Sequence, residues 1–128
     1  MTSAEAEAVA VAWLESDLSG VRVCTELPAT LTGDIVRVTR ISGSDGGQFS
    51  VYEDAVCDFD CFAADRASAR TLAYRVRDSL RVRMPGQKVG SNAFVIRVKS
   101  LAGPTWTPYD NTTVRRFTYA AELRIHSI

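Results

Sequence analysis

His126 is the single histidine of the chain, so a Ser-His-Asp or Cys-His mechanism would have to run through it. It alternates outward on a predicted strand two residues from the last position, and reads as an exposed bystander. Cys24, Cys57 and Cys61 could join it as a nominal zinc set. The spacing speaks against that. Cys57 and Cys61 lie on a predicted strand rather than a zinc knuckle, and the other ligands are scattered. Four strand residues also separate those two by roughly 13 Å, beyond the ~7 Å Cα limit of a disulfide. Soft core packing is the expected role of the thiols. Asp58 and Asp60 share one strand face, with Glu53 and Asp54 upstream. Paired carboxylates can hold Mg²⁺ for phosphoryl or nuclease chemistry. No phosphate-cradling glycine pattern accompanies them, so a solvated or interface-facing edge is the stronger reading. No metal and no cofactor are expected.

Charge narrows the choice further. Fifteen basic residues balance fifteen acidic ones, and general nucleic-acid binding draws its affinity from an excess of the former. All the basic residues except Lys88 and Lys99 are arginines, whose planar forks suit protein interfaces. Arg66, Arg70, Arg77 and Arg81 step by four, seven and four, which places them on one flank of a predicted helix. That helix carries about +4, and the strand before it about −4. The plain reading is a solvated face. The sharper one is a docking surface, met by the acidic strand within one chain or across a heterologous subunit contact. Trp106 and Tyr109 stand among prolines, as interface anchors or packed back on the core.

These side chains need elements to hold them. The 128 residues suit one domain, residues 1–128, burying roughly two-thirds of the unfolded surface. Uncharged runs are too short for a membrane span, which needs about 20 residues. Glu5, Glu7 and Glu15 spoil a signal peptide, so folding in a reducing cytoplasm is expected. Residues 3–18 read as a helix capped by Ser3, with Ala6, Val9, Ala10, Trp13 and Leu14 on its apolar stripe. Residues 21–25, 35–41 and 54–62 read as strands, the last two as a hairpin around a loop at Gly43, Ser44, Asp45, Gly46 and Gly47. Residues 64–83 read as the second helix, starting at Asp65, with Ala69, Leu72, Ala73, Val76 and Leu80 inward. Residues 92–101 read as a strand with Phe94, Ile96 and Val98 inward. Residues 102–111 read as a loop and 113–126 as a final strand. The predicted fold is α+β, a single mostly antiparallel or mixed sheet of about five strands. Two helices pack on one face, in the order α-β-β-β-α-β-β.

One stretch carries a resemblance. VCDFDCFAADRASARTLA, residues 56–73, is an acidic alternating strand running into an A-x-D-R-x-x-A-x-x-L-A helix. A Pro28 turn precedes IVRVTRISG, and Gly103-Pro104-x-Trp106 precedes a strand opening at Val114-Arg115-Arg116. In this order the motifs resemble the tail terminator (tail completion) proteins of long-tailed actinobacterial phages, over residues 20–126. The resemblance implies a hexameric ring that caps the tail tube, stops its polymerisation and offers a surface for head–tail joining. It implies self-association, the major tail tube protein and a head–tail connector as partners. DNA would pass through the lumen without specific binding. The location implied is the head-proximal end of the virion tail, reached from the host cytoplasm. It implies no enzyme activity. The arginine flank should then be buried or turned from the channel, since a basic lumen would trap phosphates.

Three other readings remain open at this stage. A head-closure or head–tail adaptor protein would share the ring and the lack of chemistry. A Mg-dependent nuclease or phosphatase would use Asp58 and Asp60. An RNA-binding sheet would need outward aromatics, whereas Phe59, Phe94 and Phe117 pattern with the core.

Overall fold

A computed structural model describes residues 5–44, 52–110 and 113–128. Its elements are α1 (Ala6–Asp17), β1 (Val21–Cys24), β2 (Asp34–Ser44), β3 (Tyr52–Ala63), α2 (Arg66–Asp78), β4 (Lys88–Val89), β5 (Ala93–Trp106) and β6 (Arg115–Ser127). A π-helical turn, Ser79–Arg83, continues α2. The strands form one mixed sheet in the order β1-β2-β3-β6-β5-β4. Only β1 and β2 run parallel. The class is α+β as expected, with a sixth strand that is too short, at two residues, to leave a periodic signal.

Strand alternation builds the core. Val36 and Val38 of β2, Ala55, Cys57, Phe59 and Cys61 of β3, and Tyr119, Ala121, Leu123 and Ile125 of β6 are all buried on one face. Both helices cover that face. α1 contributes Ala6, Val9, Ala10 and Leu14; α2 contributes Ala69, Leu72, Ala73 and Val76. A second, smaller cluster of Ile35, Phe62 and Val114 lies apart. Parallel neighbours need a crossover. Residues 25–33 make it, packing Leu27 and Leu31 against this second cluster.

Several local expectations need correction. Ser3 lies outside the described residues, and α1 is instead capped by Glu5, whose carboxylate accepts from the backbone N–H of Glu7 and Ala8 at 2.9 and 2.8 Å. Asp45, Gly46 and Gly47 also lie outside them. Gly43 belongs to β2, where φ is 138° and a Cβ would collide with the Asp54 carbonyl. Helix 2 keeps its start, with Asp65 accepting from the Ser68 N–H at 2.8 Å. Its last turn widens to i→i+5, Met84 N–H donating to the Ser79 carbonyl at 2.9 Å. Val76, Leu80 and Met84 follow at four-residue steps, so Met84 continues the inward stripe beyond the wider turn and is fully buried.

β5 departs most from its reading. Val95 is buried, whereas Phe94 is half-buried and Ile96 is 41% exposed. The register shifts between Val95 and Arg97, and the extra residue inverts the alternation before Val98 returns to the core. The strand then continues through residues expected as loop, to Trp106. Pro104 fits there because β4 pairs only with Phe94 and Ala93, leaving the outer edge near Pro104 without a strand partner that needs its N–H.

Phe59→Ala should lower unfolding free energy by about 3–5 kcal/mol, because its ring is fully buried against Tyr119. Ile41→Ala, on an exposed side chain, should cost less than about 0.5 kcal/mol. Urea unfolding of both variants checks the contrast.

Candidate assembly surfaces

Three of the four acids of β3 are ion-paired within the sheet. Asp60 lies directly opposite Arg37 of β2 and Thr118 of β6. Arg37 donates from Nε and Nη2 to one carboxylate oxygen at 3.1 and 2.7 Å, and Thr118 Oγ1 donates to the other at 2.9 Å. These bonds let a carboxylate sit at 8% exposure. Asp54 lies opposite Arg124 and accepts two hydrogen bonds from it, at 2.8 and 2.9 Å. Those bonds hold the Asp54 carboxyl below its ordinary range. Arg40 reaches Glu53 at 3.0 Å, and the Arg40 N–H donates to Glu7 of α1 at 2.7 Å.

Asp58 forms no ion pair among the described residues. It lines a shallow depression with Arg37, Thr39, Asp60, Arg116 and Thr118. Burial, and then the neighbouring Asp60 charge, raise its carboxyl. Asp58 and Asp60 do share a face, but Asp60 is already committed to Arg37. No cluster of three or more metal-ligating side chains occurs among the described residues. The thiols are chemically quiet. Burial pushes Cys57 up to about 12 and raises Cys61 and Cys24 too, so none is a thiolate near neutral pH. His126 sits between Tyr52 and Phe94 in the register, and neither supplies a carboxylate or thiol.

The arginine flank of α2 does not meet the acidic strand within the chain, which corrects one of the two pairings considered. Arg66 lies over the Trp106 ring at 4.5 Å. Arg77 lies over Tyr74 at 4.6 Å and pairs with the adjacent Asp78 at 3.0 Å. Arg66, Arg70 and Arg81 are exposed, and Arg70 and Arg81 form no ion pair among the described residues. Trp106 and Tyr109 pack inward rather than standing free. Trp106 meets Phe117 edge-on at 5.7 Å; Tyr109 meets Phe62 edge-on at 5.0 Å, with Arg116 over its ring at 5.1 Å.

Two groups escaped the sequence reading. Arg37, Arg40 and Arg124 pair with Asp60, Glu53 and Asp54 of β3, and although Arg37 and Arg124 read as outward, their partners are legible only from the cross-strand register. Ser79 joins the helices: it accepts from Trp13 Nε1 at 2.9 Å and donates to Asp17, which also accepts from Arg83 at 2.9 Å. Burial pushes the Asp17 carboxyl up, but the bonds from Ser79 and Arg83 outweigh it and hold it low.

A virion chain shares this fold. It belongs to a solved structure described as the "Virion of native gene transfer agent (GTA) particle", at TM-score 0.63 and 20% identity, over 94% of this chain and 93% of that one. No family model matches the sequence, and no curated protein matches it. At that identity the likeness establishes shared architecture.

A carboxyl raised in the folded state binds its proton more readily there than in the unfolded chain. Asp58 therefore opposes folding at neutral pH and ceases to do so in acid. Asp58→Asn should melt above wild type near pH 7, with the gap closing as pH falls below the carboxylate range. Asp54 has the opposite sign: its depressed value gives stability present above the ordinary carboxylate pKa and lost as pH falls through the folded value. Asp54→Asn should melt below wild type near neutrality, with the gap narrowing in acid. Thermal melts across pH check both signs.

Proposed function

We propose that this chain is a structural virion protein, and within that class a tail terminator. Copies form a hexameric ring that caps the tail tube at its head-proximal end and presents a surface to the head–tail connector. The observation that carries the virion reading is the near full-length fold likeness to a chain of a gene transfer agent virion. The motifs that resemble tail terminators support the narrower reading by where they fall. VCDFDCFAADRASARTLA spans the central strand β3, its junction and the exposed flank of α2; Gly103-Pro104-x-Trp106 ends β5 at the open sheet edge.

The chemistry is consistent with work done by surfaces. Glu53, Asp54 and Asp60 of β3 are ion-paired within the sheet, and burial raises the thiols of Cys57 and Cys61. Among the described residues no helix is long and apolar enough to cross a membrane. The partners of this reading are further copies of the chain, the major tail tube protein and the connector, with DNA passing the lumen unbound. Asp58, Asp60, Arg66, Arg70, Arg77, Arg81, Trp106 and Tyr109 are its candidate interface residues. Trp106 and Tyr109 would act by shaping the loop rather than by inserting into a partner.

Electron microscopy of particles assembled without this protein tests the role. Overlong tail tubes are expected. Tails of normal length that fail to join heads would overturn the terminator reading in favour of a head-closure or adaptor protein. Normal, joined tails would overturn both.

A further inference from the structure

Resting on the ring reading, we propose that copies join head to tail, the exposed arginine flank of α2 on one copy seating against the acidic α1–β1 edge of the next. The two surfaces lie toward opposite edges of the sheet, one beside β1 and the other over β5. Arg66 stacked on Trp106 places the flank over the end of β5. The Arg75 guanidinium, on the other side of α2, turns instead toward α1, donating to the Ser19 carbonyl at 3.2 Å. The acidic face is a depression between α1 and edge strand β1, lined by Glu5, Glu7, Val11, Thr25 and Glu26 among others. Arg22 is the one basic residue of β1.

The flank has an interface's composition. Tyr74 is 40% and Val82 68% exposed, interleaved with Arg70 and Arg81, which have no ion-pair partner among the described residues. Arginine and tyrosine are enriched where proteins meet, and lysine and glutamate are depleted. Val82 lies on the outward side of the turn, between buried Leu80 and Met84 in sequence. Ile96 and Leu101, exposed on the unpaired length of β5, extend the apolar area along the same edge.

Charge complementarity selects a second copy as the occupant. The chain is neutral overall, yet it keeps unpaired arginines at one edge and carboxylates at the other. Two different, non-overlapping faces are what a heterologous contact requires to close a ring. Three of the four acids of β3, Glu53, Asp54 and Asp60, are taken by Arg40, Arg124 and Arg37, and Asp58 pairs with none of the α2 arginines.

The test is mass by light scattering after size exclusion, together with co-sedimentation on isolated tail tubes, for the full chain. Three variants are compared with wild type: Arg70→Glu with Arg81→Glu, Glu26→Arg, and all three changes together. Circular dichroism confirms that each is folded. Each charge reversal should raise the concentration needed for assembly by about tenfold or more, and the combination should recover most of that loss. High salt should weaken wild-type assembly. If wild type assembles and the arginine variant assembles equally well, this contact is wrong while the ring reading stands. The same holds if the combination shows no recovery. If wild type assembles neither alone nor on tubes, the ring reading fails and the contact with it.

Discussion

Register between β3 and its two neighbours is the constraint from which the rest follows. Asp60 faces Arg37 on one side and Thr118 on the other, and Asp54 faces Arg124. The same register points Phe59, Cys57 and Ala55 at the helices. A slip of one residue would turn the carboxylates into the core and the phenylalanine into water. Packing and charge thus specify one pairing together. Those carboxylates are satisfied by arginines of adjacent strands, and Arg70 and Arg81 of the second helical segment have no ion-pair partner among the described residues.

Much of this was legible in one dimension. β2, β3 and β6 alternate cleanly because one face is buried and the other is wet, and α2 shows its stripe because it lies across the sheet. β5 was misread for a physical reason. Phe94, Ile96 and Val98 look like an inward set, but a bulge at Ile96 hands the core position to Val95. Gly103 and Pro104 look like loop residues, yet an unpaired edge tolerates both. The π turn was invisible because Val76, Leu80 and Met84 keep the four-residue step of a regular helix, leaving no periodic signal of the wider turn.

The candidate surfaces divide in the same way. Spacing alone placed Arg66, Arg70, Arg77 and Arg81 on one flank. The local charges of about −4 and +4 suggested a pairing that the chain does not make: Asp60, Glu53 and Asp54 pair with Arg37, Arg40 and Arg124 instead. Trp106 and Tyr109 drew attention as loop aromatics. Phe117 and Phe62, brought beneath them by β6 and β3, decide that they pack inward.

Most polar groups of the sheet are satisfied internally, while Arg70 and Arg81 on α2 and the carboxylates beside β1 face outward, and it is on these that the proposed contact between copies rests. Cryo-electron microscopy of the intact particle, with this chain fitted into the density, measures that most directly. The account predicts a closed ring at the head-proximal end of the tail, each copy's α2 flank against its neighbour's α1–β1 edge. Density for a lone copy, or a ring whose lumen displays Arg70 and Arg77 to the DNA, would contradict it.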